Sequence, residues 1–300
     1  MASPSNTTSA RQLSVVVGSV EAARSISICL DSLLESCRDH DAELIVVDAG
    51  DNHAVATAVR LRPAIHFIQM PADTLTPRLW SEGLAASSGR IVAFTTGHCF
   101  VARNWAAGLT SAIDRGVAAA GGPLSLHADA SILDAAIFFL RYSAFIEGKS
   151  AMVANDIAGD NAAYSRIDIP DQSWSRELGF WEHDVNRALL ASGKSLAWVD
   201  SAVAEFGRSF SFRSICSHRF SHGRLFGRSR VANDGENRLK IVVGSILVPF
   251  VLAARAGNRV LGTAYRNRFI LALPLTLVIA SCWAAGEAAG AMEASVADRR

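Results

Sequence analysis

The amino-acid sequence predicts an α/β domain followed by C-terminal membrane helices. Short apolar, β-branched segments alternate with segments of helical periodicity as far as residue 205. This alternation is typical of a parallel sheet covered by helices. Half of the residues are hydrophobic and only 19% are charged, and the apolar surplus lies towards the C-terminus. The surplus favours a membrane-associated end over one large soluble domain.

The first βαβ unit is the clearest local pattern. Residues 13–17 and 44–47 are apolar runs, and residues 21–36 between them carry apolar side chains at helical spacing. Two strands joined in this way are parallel, with a right-handed crossover. The same reading predicts further strands at 65–68, 91–95, 117–120 and 195–199, and a loop leading into a strand at 159–164. It predicts further helices at 52–61, 76–86, 104–115, 130–145 and 181–192.

The pattern changes near residue 210. Residues 211–230 are basic and carry phenylalanines, and apolar runs follow at 241–254 and 269–285. Residues 269–286 contain no charge and are long enough to span a membrane, whereas the first run is short, so one span or two remain open. The predicted organisation is a flexible N-terminus (1–11), an α/β domain (12–210), a basic interfacial segment (211–238), membrane-associated helices (239–286) and a C-terminal tail (287–300).

Composition narrows the function classes. The net charge is +1, so no global electrostatic argument for a nucleic-acid partner can be made. The five cysteines show no CxxC pair, which favours reduced thiols in a cytosolic compartment. Residues 1–12 lack the apolar core of a secretory signal. We therefore expect a membrane location with the α/β domain on the cytosolic side.

Five segments, in order, resemble family 2 glycosyltransferases of GT-A fold. They are LSVVVGSVEAARSISICLDSLLES with AELIVVDAGDN, then PRLWSEGLAASSGRIVAFTT, HCFVARNWAAGL, GDNAAYSR and FWEHDVNRALLASGKSLAWV. The resemblance covers roughly residues 12–205. It implies a GT-A-like nucleotide-diphospho-sugar transferase domain. It also implies an inverting transfer of a sugar from a nucleoside diphosphate sugar to a lipid-linked or polysaccharide acceptor at the membrane.

The resemblance places the donor nucleotide at the ends of the early strands. Asp48 ends the second strand, where its carboxylate would accept hydrogen bonds from a base or ribose. Ala49 follows it where the family often has a second acid. Arg78 matches a family arginine that would pair with the diphosphate. Taken alone, Asp48 is equally suited to cap the helix at 52–61, and Arg78 to be a solvated helix residue.

Thr96-Gly97-His98 stands where the family keeps an acidic Asp-x-Asp motif. Those acids hold a divalent cation that neutralises the leaving nucleoside diphosphate. Neither Thr96 nor Gly97 supplies that charge, so the motif does not support Mg²⁺ or Mn²⁺. His98 is the remaining candidate metal ligand. It is equally suited to donate a hydrogen bond to a phosphate oxygen or to a purely structural role. Thr96 and His98 are thus predicted to face the donor.

The general base is predicted at the start of the helix at 181–192. Counting back from Gly193, Glu182 aligns with the family's base, which takes the proton of the acceptor hydroxyl. Asp184 is the substitute, and because it lies two residues further on, it points to another helix face. Acids in a first helical turn also suit the helix dipole without any catalytic role.

The acceptor side is predicted around Gly159-Asp160-Asn161. Short polar residues after a glycine suit a tight backbone beside a sugar, and equally suit any turn. Trp181 would stack on a sugar ring or pack in the core. These residues complete the set of candidate site residues.

The missing acids leave a rival function open. In this alternative, the protein is a non-catalytic, glycosyltransferase-like membrane protein that binds a nucleotide sugar or a partner enzyme. A nicotinamide-dependent enzyme is excluded because the first strand leads into Gly18-Ser19-Val20-Glu21, without a GxGxxG motif.

Overall fold

The computed structural model describes residues 11–50, 53–147, 154–171, 174–176, 179–208, 210–232 and 235–294. Residues 1–10, most of the predicted flexible N-terminus, lie outside the described part. The chain divides into two compact units. The first contains Met1–Ser125 and Glu147–Glu205, and the second contains Leu126–Ile146 and Phe206–Arg300.

The first unit is a layered α/β structure. Its strands are β1 (Leu13–Ser19), β2 (Ala42–Asp48), β3 (Ile65–Gln69), β4 (Ile91–Thr96), β5 (Cys99–Val101), β6 (Ala119–Gly121), β7 (Leu124–Leu126), β8 (Asn161–Ser165), β9 (Trp174–Ser175), β10 (Gly179–Phe180), β11 (Leu196–Trp198) and β12 (Ala204–Phe206). Its helices are α1 (Ile26–Ser36), α2 (Ala54–Arg60), α3 (Thr76–Ala86), α4 (Trp105–Asp114) and α6 (Glu182–Ala191). The last residues of β7 and β12 belong to the second unit.

Seven strands form the main sheet, in the order β11-β6-β8-β4-β1-β2-β3. The β1, β2, β3 and β4 strands are parallel, whereas β8 runs antiparallel to both β4 and β6. A three-stranded sheet has the order β5-β12-β7, and β9 pairs with β10. The predicted α/β fold class is confirmed. The short strands β5, β7, β9, β10 and β12 were not predicted, because runs this short carry no readable periodicity.

The register of the parallel strands aligns their carboxyl ends. Ser19 of β1 pairs with Asp48 of β2, and Gly18 pairs with Thr96 of β4. Polar residues that are far apart in the sequence therefore share one edge of the sheet, which is where open α/β sheets bind ligands.

Aromatic packing holds the first unit together beneath that edge. Phe94 of β4 lies at the centre, with ring centroids 4.4 Å from Phe180 and 5.8 Å from both Trp80 and Tyr164. All four side chains are buried. Helix α3 approaches β1 closely at Gly83, where an added Cβ would overlap the side chain of Val16. The core thus fixes α3 and β4 relative to each other.

The second unit is helical. It comprises α5 (Ile132–Tyr142), α7 (Phe212–Ala232), α8 (Arg238–Ser245), α9 (Val248–Val260) and α10 (Arg266–Glu293). Helix α10 extends beyond the predicted apolar segment, so the tail predicted from residue 287 is helical as far as Glu293. The second segment of this unit begins at Phe206, whereas the sequence analysis places a domain boundary near residue 210.

Helix α5 belongs to this second unit, although the sequence placed it in the α/β domain. The Phe139 ring lies 5.3 Å from that of Phe269 on α10, and the Phe138 ring lies 5.7 Å from that of Tyr265. An apolar helix buries its side chains wherever a matching face is available, and periodicity does not say which face that is.

Helices α7 and α10 pack through glycines. The four residues are Gly223, Gly227, Gly286 and Gly290. A Cβ on any of them would overlap a backbone carbonyl of the facing helix. Gly223 faces Trp283 and Gly227 faces Ala291, so the helices run in the same direction. Small residues at four-residue spacing let two helix backbones approach this closely.

A buried ion pair reinforces this packing. Glu287 of α10 is 1% exposed, and its carboxylate accepts hydrogen bonds from the Arg230 guanidinium of α7 at 2.6 Å and from the Ser245 hydroxyl of α8 at 2.9 Å. Removal of Arg230 would leave the buried Glu287 carboxylate without its cation, which is strongly destabilising.

Of the described helices, α10 is long and apolar enough to cross a membrane. Its most apolar 18-residue window has a mean hydropathy of 2.0, and 39% of that window is buried within the protein. Helices α8 and α9 pass the same test only as a pair, and they are bent by 58° relative to each other. A bent pair of this kind fits a broken span or a re-entrant segment.

Candidate functional site

Three buried polar side chains lie at the carboxyl edge of β1, β2 and β4. The Ser19 hydroxyl, both Asp48 carboxylate oxygens and the Thr95 hydroxyl have no hydrogen-bond partner among the described residues. Asp48 is 1% exposed and the other two are fully buried. Buried polar atoms normally form hydrogen bonds. Three side chains without partners on one edge therefore indicate a site where a ligand would supply the missing hydrogen bonds.

Burial raises the pKa of the Asp48 carboxyl above its usual value. The Ser19 hydroxyl, the Gly50 amide and the Gln69 side chain lie near enough to oppose this rise in pKa, but desolvation is the larger effect. These neighbours fall short of hydrogen-bond geometry with the carboxylate oxygens; the Gln69 amide instead donates to the Asp48 backbone carbonyl at 2.9 Å. A ligand hydroxyl or N–H group would favour the charged carboxylate.

Trp80 forms the wall beside these groups. Its indole Nε1 donates a hydrogen bond to the Thr95 carbonyl at 2.9 Å. A Cβ on Gly18 would lie 3.1 Å from the same nitrogen, so the glycine lets the indole rest against β1. The far end of the ring meets Gly159, where a Cβ would lie 2.8 Å away. Trp80 thus links the strand edge to the loop before β8.

The segment Thr96-Gly97-His98 is buried within the first unit, and its side chains contact neighbouring residues. The Thr96 hydroxyl donates to the Asp160 carboxylate at 3.1 Å. A Cβ on Gly97 would lie 2.6 Å from the Ala22 Cβ, so no carboxylate side chain fits at this position as the chain is folded.

His98 is 2% exposed, and both of its ring nitrogens have protein partners. Nε2 donates to the Val20 carbonyl at 2.8 Å, and Nδ1 lies 3.1 Å from the Ser25 hydroxyl. A nitrogen that faces a carbonyl must carry a proton, so Nε2 cannot ligate a metal in this arrangement. The geometry favours a structural role for His98, in which its hydrogen bonds stabilise the turn after β1.

The donor set does not fit a divalent cation. Mg²⁺ and Mn²⁺ need several oxygen ligands, usually including carboxylates. Within the described parts of the chain, no group of three His, Cys, Asp or Glu residues could hold a metal ion. The Asp160 carboxylate contacts the motif, through the Thr96 hydroxyl.

Glu182 lies beside the loop that carries Asp160. It is half-buried at the first position of α6, and its Cβ lies 3.0 Å from where a Cβ on Gly159 would be. Burial raises the pKa of the Tyr164 hydroxyl, and the charges of Glu182 and Asp156 raise it further. The Glu182 carboxylate is therefore close to the aromatic core beneath the site.

A hydrogen-bond chain anchors the start of α6. The Tyr164 hydroxyl donates to the Asn186 side-chain oxygen at 2.9 Å, and the Asn186 amide donates to Asp156 at 2.7 Å. These hydrogen bonds join β8 to the helix that carries Glu182. They fix the direction in which that helix begins.

Three of the remaining predicted site residues lie in different surroundings. Asp184 is exposed and pairs with Arg187 at 3.1 Å on the outer face of α6. Arg78 is exposed in the first turn of α3 and forms no ion pair with a described residue. Trp181 is half-buried immediately before α6.

Asn161 is fully buried, and its side chain is engaged in the fold. Its amide donates to the Pro123 and Ala202 carbonyls at 2.9 and 2.8 Å, and its oxygen accepts from the Trp105 indole at 2.6 Å. This arrangement favours a structural role for Asn161 over contact with an acceptor.

Sequence reasoning missed Ser19, Trp80 and Thr95. Ser19 and Thr95 lie at strand ends next to residues that were predicted, and a polar residue at the end of an apolar strand was the available signal. Trp80 had no such signal, since a tryptophan on a helix is most often a core residue.

Buried polar groups without hydrogen-bond partners at the carboxyl ends of the parallel strands form a candidate ligand site. Residues 14–149 match the family model described as glycosyl transferase family 2. This part of the chain is therefore similar to family 2 glycosyltransferases. Asp160 and Glu182 lie beyond the matched residues. Comparison with curated protein sequences finds no match.

Solved structures of glycosyltransferases are similar to this chain. S. aureus TarS residues 1–349, in complex with UDP, is 15% identical over 85% of this chain and 73% of that chain, with a TM-score of 0.48. Glucosyl-3-phosphoglycerate synthase from Mycobacterium tuberculosis, in complex with Mn²⁺, UDP and glucosyl-3-phosphoglycerate, is 17% identical over 68% of this chain and 75% of that chain, with a TM-score of 0.47.

Proposed function

We propose that this protein transfers a sugar from a nucleoside diphosphate sugar to an acceptor hydroxyl at a membrane surface, with inversion at the anomeric carbon. The unsatisfied Ser19, Asp48 and Thr95 side chains at one sheet edge carry the proposal. They supply acceptors and donors where a base and ribose would lie. The family 2 match over residues 14–149 supports glycosyl transfer as the reaction class.

Arg78 is the residue we assign to the donor diphosphate. Its guanidinium is exposed at the first turn of α3 and forms no ion pair with the described residues. A guanidinium can bind two phosphate oxygens at once and can offset the charge of the departing nucleoside diphosphate. Thr96 and His98 were predicted to face the donor. We assign them a positioning role at this edge of the sheet, through their hydrogen bonds to Asp160 and to the Val20 carbonyl.

Glu182 is the proposed general base. Its carboxylate removes the proton of the acceptor hydroxyl as that oxygen forms a bond to the anomeric carbon. The bond from the anomeric carbon to the diphosphate oxygen breaks on the opposite face, and the nucleoside diphosphate leaves with the electron pair. Attack opposite to the leaving group inverts the configuration. Asp160, at the neighbouring loop, and Trp181, before α6, are assigned to the acceptor side.

The acceptor is proposed to be lipid-linked or a growing polysaccharide, held near a membrane by the second unit. Large apolar side chains are exposed at the junction of α8 and α9. Ile246 and Leu247 lie between the two helices and Phe250 lies on α9, and each is more than 60% exposed. Exposed apolar clusters of this kind mark membrane or protein contacts. The cytosolic face is the proposed side, because all five cysteines are free, as is typical of a reducing compartment.

Replacement of the base tests the mechanism. Glu182→Gln keeps the size of the side chain but cannot take a proton, so turnover should fall by roughly 10²–10⁴, with little change in nucleotide affinity. Asp184→Asn on the same helix is the matched control and should be close to wild type, since Asp184 pairs outward with Arg187. The measurements are donor turnover and UDP affinity of the full chain in detergent, with and without chelator. A damaging Asp184→Asn with a silent Glu182→Gln would contradict the assignment.

Binding without turnover is the second candidate function. The overlap that a side chain at Gly97 would make with Ala22 favours it, since this site cannot regain the family's acid without movement of the turn. Nucleotide binding that depends on Asp48, together with no donor turnover under any ionic condition, would support this candidate over catalysis.

A further inference from the structure

A groove lies between α9 and α10 in the second unit and has no role in the proposed reaction. Its volume is about 320 Å³, and most of the side chains that line it are apolar. Among them are Phe250 of α9 and Phe269 and Leu273 of α10. Leu261, the first residue after α9, also lines the groove, so one end of the groove lies at the turn between the two helices.

The groove exists because α9 presents small residues to α10. Ala253, Ala254 and Gly257 line it, and a Cβ on Gly257 would lie 3.3 Å from the Phe269 ring. A methylene group takes up as much volume as a water molecule in the liquid, about 30 Å³, so the groove holds about ten of them. One turn of a partner helix, about 10 Å across and 5.4 Å long, would need more than roughly 400 Å³. The size therefore fits one hydrocarbon chain and not a helix.

The groove opens onto apolar surface. Phe250 and Leu261, which line it, are 62% and 45% exposed, and Leu247 is exposed three residues before Phe250. Helix α10 is long and apolar enough to cross a membrane, and α8 and α9 pass the same test as a bent pair. A groove of this composition favours a hydrocarbon chain over water, because burial of apolar surface is favourable and apolar cavities stay dry.

The charge around the turn between α9 and α10 is positive. Residues 241–286 contain four arginines and no aspartate or glutamate. Arg255, Arg259 and Arg266 are exposed and form no ion pair with the described residues, whereas Arg268 donates a hydrogen bond to the Ala130 carbonyl. An apolar groove with uncompensated cations at one end is complementary to a molecule that has an apolar chain and an anionic head.

Arg266 is the arginine on the groove side of α10. It lies three residues before Phe269, so the two residues share a helix face. Asn258 lines the groove near the same end and is exposed, so its amide can donate to a ligand. Arg255 lies two residues before Gly257 and therefore belongs to another face of α9.

We propose that the groove binds one acyl chain of an anionic phospholipid from the surrounding bilayer. The Arg266 guanidinium holds the phosphate of the lipid, and the Asn258 amide donates a second hydrogen bond. A chain held between α9 and α10 stabilises their packing, because it binds the folded protein only. The site rests on the proposed membrane association of the second unit and is independent of sugar transfer by the first.

Photolabelling of the full chain in phosphatidylcholine nanodiscs tests the headgroup contact. The two probes are phosphatidylglycerol and phosphatidylcholine with the same photoactivatable acyl chain, added at the same small mole fraction. Phosphatidylglycerol should label the groove-lining peptides of α9 and α10 more strongly than phosphatidylcholine does. Arg266→Gln should lower this labelling about fivefold, the contribution of one arginine at an anionic headgroup. Arg255→Gln is the matched control and should label as wild type does.

Ala254→Leu tests the groove itself. Ala254 is an exposed lining residue, and leucine is also a good helix former, so the variant should fold as wild type does. The larger side chain occupies part of the groove, so labelling by both probes should fall by about tenfold. Thermal unfolding without either probe should give equal melting temperatures for wild type and all three variants.

Four results would overturn the proposal. They are equal labelling of the groove by both probes, equal losses in Arg266→Gln and Arg255→Gln, labelling mainly outside α9 and α10, and labelling that falls as more copies are loaded into each nanodisc. The last result would assign the groove to a second copy of the chain. Sugar transfer measured on the same samples separates this site from the proposed reaction. Loss of groove labelling with transfer retained rejects the site alone, whereas labelling without transfer supports the site and rejects the reaction alone.

Discussion

At the scale of single residues, Asp48 links ligand binding to stability. Its carboxylate is buried at the end of β2, and burial raises its pKa above the usual value. Since the folded pKa is higher than the unfolded one, folding favours the protonated form. The associated stability is fully present below the unfolded pKa and is lost as the pH rises through the folded pKa. At neutral pH the charged carboxylate therefore destabilises the ligand-free fold.

Asp48→Asn should consequently separate stability from binding. Without nucleotide, the variant should be more stable at neutral pH by about 1 kcal/mol, because a poorly compensated buried charge is removed. The gain should shrink as the pH falls through the folded pKa of Asp48. UDP affinity should fall by roughly tenfold or more, since hydrogen bonds to the charged form are lost.

Thermal unfolding across a pH series and UDP titration check both effects. Glu205→Gln, at an exposed acid of the same unit, is a control for the loss of one negative charge. A variant that is destabilised at neutral pH, or that binds UDP as well as wild type does, would show that Asp48 has a structural role only.

At the scale of elements, the α7 and α10 pair depends on the absence of side chains at its contact. A Cβ at Gly227 would overlap the Glu287 carbonyl, so Gly227→Ala forces the helices apart. Overpacking of this kind costs about 1–3 kcal/mol and outweighs the better helix propensity of alanine.

Gly244→Ala is the matched control, because Gly244 is in α8 and a Cβ there meets no atom within 4 Å. That variant should be neutral or more stable by up to about 1 kcal/mol. Thermal unfolding of the full chain in detergent measures both. Equal effects at Gly227 and Gly244 would mean that close helix packing does not stabilise the second unit.

At the scale of the whole molecule, the exposed apolar side chains of the second unit predict firm membrane association. The full chain should stay in the membrane fraction through a high-salt wash, because apolar burial is not screened by salt. Leu247→Asp with Phe250→Asp should increase the fraction that can be extracted, since each charge in hydrocarbon costs roughly 2.5–3.5 kcal/mol.

Ile167→Asp is the control for this experiment. Ile167 is 92% exposed in the first unit, so a charge there should leave extraction unchanged. Release of the wild-type chain by salt alone would show that only headgroup electrostatics hold it, and the proposed membrane insertion would be rejected.

The sequence by itself determined the α/β class, the positions of the longer strands and helices, and the resemblance of the first domain to family 2 glycosyltransferases. These depend on periodicity and on local motifs, which neighbouring residues carry. Asp48 could be predicted because a strand end is a local feature that parallel pairing brings to the sheet edge. Residues 241–254 and 269–285 could be recognised as apolar for the same reason.

Only the tertiary structure decided what several predicted residues contact. His98 bonds to Val20, 78 positions away, and Thr96 bonds to Asp160, 64 positions away. Helix α5 packs against α10 within the second unit. Each of these contacts joins residues that are far apart in the sequence. A local sequence pattern cannot specify which distant group forms a given hydrogen bond or packs on a given helix face.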